Sequence, residues 1–455
     1  MKIDKILIVA VLAGWTGCSL AAVSAEQAKQ LGTTLTEFGA IKSGNEDGSI
    51  PAYTGGVETI PADFEPGSGH YPDPYQDEKP KLKITASNMD QYADKLSAGA
   101  KELLKRFPDF YLSVYPTHRS MGYPEWQLKN AVKNATTAKL VGKVEGDGVT
   151  GAYGGIPFPI PQNGNEVMWN FLLNNSFGTR TREVLNEYLV DGNGTKTHIV
   201  GLDATYTSPY YDPDQTELKG PWYRVLLTYL QVPASQAGQI VLIKNAINNA
   251  KQEDTTWIYN PGQRRVRLAP EYKYDTPSPQ TGGATLFDEI NGYSGRQDRF
   301  DFKLVGRKEM YIPYNNYQSL YGSKEYARDV IAQPNFPNPD KVRWELHRVW
   351  EVEATLKDGA RHVYKRRTFY FDEDSWQLVL SDNYDHADNL YRIGYVQTAP
   401  FYDKDKPRLG SPGLTFFDLN KGAYYTYVYS LVIPYNDVGN MSDYSPDAMA
   451  AAGVR

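Results

Sequence analysis

From about Arg180 onward the chain alternates apolar and polar residues with a period of two, and this pattern restricts its fold more than any other feature. Successive side chains of a strand point to opposite faces, so the alternation marks pleated segments with one buried face. The clearest case runs from Val342 to Leu356. Val342, Trp344, Leu346, Trp350, Val352, Ala354 and Leu356 share one face; Glu345, His347, Glu351, Glu353 and Thr355 share the other, expected to be wet. Asp358-Gly359 then turns the chain into Arg361 to Phe371, and Asp372-Glu373-Asp374-Ser375 turns it into Trp376 to Leu380. Turns this short join antiparallel neighbours. The same reading gives Arg182 to Val190 and Thr195 to Tyr206 around Asp191-Gly192-Asn193-Gly194. Trp222 to Val232 follows, with Tyr223, Val225, Leu227 and Tyr229 on one face. After Gln239 to Ile247, Trp257-Ile258-Tyr259 and Arg264 to Leu268 flank Asn260-Pro261-Gly262-Gln263.

The region before Arg180 reads differently. Ser87 or Asn88 caps an expected helix through about Arg106, striped by Tyr92, Leu96, Ala100, Leu103 and Leu104 and ended by Pro108. Pro124 suits the first turn of a second helix containing Trp126, Ala131 and Ala138. Asn165 to Leu173 reads as a third, behind Gly154-Gly155-Ile156-Pro157-Phe158-Pro159-Ile160-Pro161. The expected organisation is a signal peptide at 1–25, an irregular segment at 26–85, helices at 86–178, a sheet at 179–435 and a tail at 436–455.

The signal peptide rests on Lys2 and Lys5, the uncharged apolar stretch Ile6 to Gly14, and the small residues Val23-Ser24-Ala25. Cleavage is expected after Ala25, which makes the mature chain a soluble periplasmic protein. The alternative is an outer-membrane lipoprotein anchored through Cys18, the only cysteine, although Trp15 stands where a lipidation box wants an aliphatic residue. Cleavage after Ala25 would remove every cysteine and with it disulfides, thiol catalysis and thiolate metal sites. It also removes Lys2, Asp4 and Lys5 and takes the net charge from −6 to −7, an acidity that argues against nucleic acid as a partner.

Chemical machinery is sparse. Of the six His, no two stand at the spacing of a zinc helix, and Gly292-Tyr293-Ser294-Gly295 fails the pattern of a nucleophile elbow. The expectation is therefore a protein that is not an enzyme and needs no cofactor or metal. Asp372, Glu373 and Asp374 read as an exposed turn, and Lys365-Arg366-Arg367 as a solvated outer face. Arg265 and Arg267 point the same way on their strand; they are either an exposed hairpin tip or guanidinium groups at a cavity rim. Aromatic residues make up 13% of the chain, 35 of them Tyr. Such residues fill large twisted sheets, and they also line binding surfaces.

Several long motifs carry a family resemblance. They are Trp257-Ile258-Tyr259-Asn260-Pro261-Gly262-Gln263-Arg264-Arg265-Val266-Arg267, Asp288-Glu289-Ile290 with Asp298-Arg299-Phe300-Asp301, Val342-Arg343-Trp344-Glu345-Leu346-His347-Arg348-Val349-Trp350, and Gly154-Gly155-Ile156-Pro157-Phe158-Pro159. Over nearly the whole mature chain they resemble a proteobacterial exported family known as domain of unknown function 1329, similar in fold to the LolA/LolB lipoprotein-sorting carriers. The resemblance implies an α+β fold in which a curved antiparallel sheet, or incomplete barrel, is covered by helices, with an irregular N-terminal wrap and an apolar cavity for acyl chains. Leu268 and Phe171 depart from the family pattern and make their spots more apolar.

The leading functional expectation is a periplasmic carrier for an amphipathic or lipidic ligand, serving lipoprotein sorting or transport of hydrophobic compounds. Tyr223, Leu227, Tyr229, Trp257, Trp344 and Trp350 are the expected apolar lining, with Arg265 and Arg267 at the rim. An inner-membrane transporter and an outer-membrane protein are the expected partners. The rival reading is a glycan-binding or envelope scaffold protein without carrier activity. An outer-membrane barrel fits poorly with 29 Pro and without continuous alternating strands throughout.

Overall fold

The computed structural model describes residues 23–56, 60–174, 177–401, 410 and 412–453. The body of the expected signal peptide, with Cys18, lies outside them. Four short strands come first: β1 (Leu82–Ile84), β2 (Leu112–Val114), β3 (Lys139–Val141) and β4 (Gly148–Thr150). Then come β5 (Arg180–Val190), β6 (Lys196–Thr207), β7 (Trp222–Val232), β8 (Ile240–Ala246), β9 (Thr255–Asn260) and β10 (Arg265–Leu268). The last group is β11 (Phe300–Pro313), β12 (Arg343–Leu356), β13 (Arg366–Asp372), β14 (Leu378–Tyr384), β15 (Leu390–Gln397), β16 (Gly413–Asp418) and β17 (Ala423–Tyr435).

Fifteen of these strands form one sheet in the order β1-β2-β12-β13-β14-β15-β16-β17-β5-β6-β7-β8-β9-β10, with β11 on the other side of β12. Its pairings are antiparallel apart from a two-residue parallel contact of β12 with β2. The sheet is open, as the incomplete-barrel expectation requires. Register shifts at Tyr429/Leu431, Glu187/Tyr188, Gly201/Leu202 and Trp222/Arg224 put four bulges into neighbouring strands of one half. Bulges bend a strand and increase its twist.

Helices cover the sheet where the sequence supplies caps. The single helix expected through Arg106 is split into a 3₁₀ turn, Met89–Lys95, and an α-helix, Ala98–Arg106. Ser97 causes the split: its side chain accepts from Ala100 N and starts a new helix. Leu103 and Leu104 then pack with Trp344 and Leu346 in one core. Helix Gly164–Leu172, capped by Asn163, lies against β11 and β12 in a second core with Trp350, Phe369 and Trp376. Helix Pro446–Gly453 covers β8 to β10, with Met449 packed on Val225, Leu227 and Leu242. No helix of the described residues is long and apolar enough to cross a membrane.

Three expectations of exposed polar residues are corrected. Glu345 and His347 are 0% and 1% exposed, the whole turn Asp372–Ser375 is buried, and so is Arg367. The cause for the first two is a layer that strand periodicity does not register: the N-terminal segment folds over this side of β11 and β12. Arg119 donates from Nε to Asp374 Oδ2 at 2.8 Å and from Nη2 to Asp374 Oδ1 at 2.6 Å. Arg348 Nη1 donates to Ser43 O, Ile41 N to Glu373 Oε2, and Trp376 Nε1 to Phe38 O. The acidic turn is a clasp that holds residues 38–51 against the body. Burial, and then Asp374 beside them, raise the Asp372 and Glu373 carboxyls above the usual range. Burial alone would raise Glu345 too, but the hydrogen bond from His347 and the charge of Arg343 take it down to about 2.

Candidate functional site

Across β17, β5, β6, β7, β8 and β9 one face of the sheet is apolar and is covered by a loop instead of a helix. Its floor follows from the strand register. Tyr429 lies opposite Leu185, Leu185 opposite Leu202, and Leu202 opposite Leu230. A second row runs Tyr206, Leu226, Ile243 and Thr256. Directly opposed side chains share a face, so the two rows form one continuous surface.

The cover is the segment 276–296. Its tip is a narrow loop closed by the bridge between Pro277 and Leu286, with Ser278 N donating to Thr285 O at 2.8 Å. Its root is the 3₁₀ turn Phe287–Gly292, which carries Asp288 and Glu289. Both carboxylates are anchored in the sheet. Arg367 Nη1 donates to Asp288 Oδ2 at 2.7 Å, with His362 Nε2 at 3.1 Å from the same oxygen. Arg392 Nη1 donates to Glu289 Oε2 at 2.9 Å, and the Tyr364 hydroxyl donates to Glu289 Oε1. Burial opposes the charge of Asp288, but Arg367 and His362 outweigh it and hold the carboxyl below its usual range. This anchoring explains why Arg367 is buried. The far side of the cover is tied more lightly, by Gln236 Nε2 to Pro279 O at 2.9 Å.

The cover does not fill the floor. Beneath and beside it lie three cavities of about 250, 90 and 170 Å³. The first, toward β16 and β17, shares Thr281 and Tyr425 with the second; the second shares Ile243 with the third, toward β9. Each alone is below the roughly 300 Å³ at the small end of ligand pockets, while in line they make an elongated groove across the strands. Glu187 projects into the middle cavity, flanked across the sheet by Tyr427 and Val200. Its Oε2 is sealed from solvent and has no hydrogen-bond partner. Burial alone pushes this carboxyl up to about 7.

The expected lining residues are dispersed. On β7 the other alternating set faces the groove: Leu226 and Thr228 line it, while Leu227 packs against the C-terminal helix. Tyr223 is buried in the core of Trp169 and Trp350, and Tyr229 is 39% exposed. This corrects the face assignment. Both faces of β7 are buried over much of its length, so apolar alternation cannot say which one meets the cavity. Trp257 packs with the set around Leu227 and Tyr259. Trp344 sits edge-on to Tyr395 at 5.2 Å, and Trp350 stacks on Trp376 at 5.9 Å, in two different filled cores. Arg265 is exposed, and Arg267 pairs with Glu271 at 2.7 Å on the edge strand. Opposite Ile258, Arg267 is on the groove side of β9–β10. Sequence reading missed Glu187, although a carboxylate between Leu185 and Leu189 in an apolar alternating set was a visible signal.

Two other places were candidates for chemistry. His347, Asp372 and Asp374 bring ligand atoms within 4.8 Å of one another. Both oxygens of Asp374 already accept from Arg119, and Asp372 Oδ2 accepts from Ser375 and Tyr314. A guanidinium supplies the positive charge there, so the cluster fits a structural clasp better than a metal site. A wide cleft of about 910 Å³ beside helix Glu125–Thr137 is lined by polar groups such as Asn130, Lys133, Glu217 and Lys251.

Residues 83–450 match the family described as protein of unknown function, DUF1329. The chain belongs to this family. The resemblance read from the motifs is thereby borne out. A family relative, Uncharacterized protein PA3922 of Pseudomonas aeruginosa, is 39% identical over 466 residues, covering all of both chains. A crystal structure of a DUF1329 family protein from Desulfovibrio piger is 14% identical, with a TM-score of 0.40, and covers 61% of this chain and 93% of that one. A LolA superfamily protein, NE2245, from Nitrosomonas europaea is 10% identical, with a TM-score of 0.36, and covers 63% and 100%.

Proposed function

We propose that this DUF1329 protein is a carrier for an amphipathic, lipid-like ligand, exported to the periplasm and cleaved after Ala25. The supporting observation is the lid-covered groove: an apolar sheet face whose cover leaves three adjoining cavities unfilled. A helix that packs by ridges and grooves would fill such a face, as happens over β12 to β15. A loop with a small polar tip, Ser278 to Thr285, leaves room for a chain and can swing on its anchored root. Carriage between an inner-membrane transporter and an outer-membrane protein belongs to this proposal. The glycan-binding reading draws less support, because the wide open cleft offers one aromatic ring, Tyr153, whose hydroxyl donates to Asp212 O.

The test is a titration of delipidated protein with an uncharged fluorescent acyl probe, paired with mass spectrometry of organic extracts from protein purified out of its native compartment. Saturable uptake, lost when Leu226→Trp fills the groove in a protein that still melts cooperatively, is the expected result. No saturable uptake by the wild type would end the carrier reading.

A further inference from the structure

On its floor the middle cavity is lined mainly by Leu185, Leu202, Ala204, Leu226 and Ile243, while charged residues such as Asp254, Lys273, Arg296 and Arg392 line the flanking cavities. Glu187 stands in the middle of the groove, on the floor, with one carboxylate oxygen sealed and unpartnered. A carboxyl without a partner in an apolar cavity is costly, and folds normally avoid it by supplying a donor. Among the described residues, no positively charged side chain lines this middle cavity. The titratable groups facing Glu187 are Glu183 on its own strand, Tyr206 from β6, Tyr425, Tyr427 and Tyr429 from β17, and Glu289 from the cover. The hydroxyl of Tyr427 is committed to Pro412 O, and Glu289 is held by Arg392 and Tyr364. Arg392 also reaches Asp418. Arg224 of β7 acts on Tyr206 but does not line this cavity, and the charge of the groups that face Glu187 is either negative or already paired.

We propose that Glu187 is the recognition point for a ligand that carries a protonated amine on an apolar body, its ammonium donating to the carboxylate while its chain lies along the groove. The inference rests on the carrier reading and deepens it by naming the head group. An ammonium would supply both things the site lacks, a donor and a positive charge. A fatty acid would set a second carboxylate against Glu187, which is unfavourable in a poorly solvated cavity. A neutral alcohol would give a hydrogen bond without the charge.

Burial places the Glu187 carboxyl close to neutrality, so recognition of an ammonium should strengthen as pH rises through that range. The experiment is displacement of an uncharged fluorescent acyl probe by dodecylamine, dodecanol and dodecanoate, near pH 6 and near pH 8, with wild type and Glu187→Gln. The amine stays charged at both pH values. The expected result is an amine preference over the alcohol of about tenfold near pH 8, shrinking several-fold near pH 6. Dodecanoate should be the weakest near pH 8, and Glu187→Gln should bring amine and alcohol together. The wild-type pH dependence tests the idea without any variant. Equal affinity for the three head groups, or an amine preference that survives Glu187→Gln, overturns this inference while leaving the groove as a chain-binding site. Failure of the probe to bind wild type overturns both.

Discussion

The half of the sheet around β12 to β15 and the half around β5 to β8 are made of similar strands and are finished in opposite ways. Over β12 to β15, helices and the N-terminal segment pack both faces. Trp344, Trp350 and Trp376 are enclosed by the chain's own side chains, and the buried charges Arg119, Asp374 and Glu373 are paired. Over β5 to β10, one face carries the C-terminal helix against β7 to β10, while the other carries a loop anchored by Asp288 and Glu289. Cavities remain under that loop, and Glu187 keeps an oxygen without a partner. Aromatic richness alone therefore does not mark a binding site. Trp169, Trp344, Trp350 and Trp376 sit where the protein is solid, and the floor strands of the groove carry mainly Leu, Ile, Thr and Tyr.

The contrast can be broken in four places. The largest effect should come from Arg119→Ala. It leaves Asp374 buried without its cation and Glu373 with only Arg307 and Arg348, and removal of one partner from a buried pair typically costs about 3–5 kcal/mol; we expect the upper end, read by chemical denaturation. Residues 38–51 should also become sensitive to proteolysis, since Arg119 Nη1 donates to Lys42 O and Pro51 O. Uptake of an acyl probe by the variant that remains folded should be unchanged.

Trp350→Ala comes next. It empties a filled core beside Trp376 and should destabilise by about 3–4 kcal/mol without altering probe affinity. A variant that stays stable and binds the probe differently would mean that this half also holds ligand.

The third effect is pH-dependent. Burial raises Glu187 from its ordinary 4.5 to about 7 in the folded protein, so the native state holds this proton more tightly than the unfolded chain. Its contribution to stability is then lost as pH rises from the unfolded value through the folded one. Glu187→Gln should change the unfolding free energy little near pH 4 and raise it by about 2 kcal/mol near pH 8, part of the full linkage being offset by water in the cavity. Equal effects at both pH values would show that the carboxyl has a partner.

The smallest effect sharpens the face assignment. Tyr229→Ser alters a side chain that is partly in solvent and turned away from the groove, so stability should move by less than about 1 kcal/mol and probe affinity not at all. Thr228→Trp, one residue earlier and in the groove, should abolish uptake.

Local patterns recovered the strands, their antiparallel pairing and the hairpins at Asp191-Gly192-Asn193-Gly194 and Asn260-Pro261-Gly262-Gln263, because side-chain alternation and turn chemistry are encoded within a few residues. The groove was less accessible. On β7, Tyr223, Val225 and Leu227 are as apolar as Leu226 and Leu230, and the choice of face depends on what packs there: a helix more than 200 residues later on one side, a loop about 50 residues later on the other. The acidic turn Asp372-Glu373-Asp374 was misread for a related reason. Its composition says solvent, and its burial comes from Arg119 and from backbone groups of residues 38–51, more than 200 residues away.

What the sequence determined by itself is the antiparallel character of the sheet, the positions of most strands and the family to which the chain belongs, since each rests on periodicity or on contiguous motifs. What the tertiary structure decided is which polar residues are interior, which face of β7 is concealed by a helix, and where the covering is incomplete. Those outcomes depend on contacts between segments far apart in the chain, and a loop laid over an apolar sheet leaves voids that no local pattern of residues records.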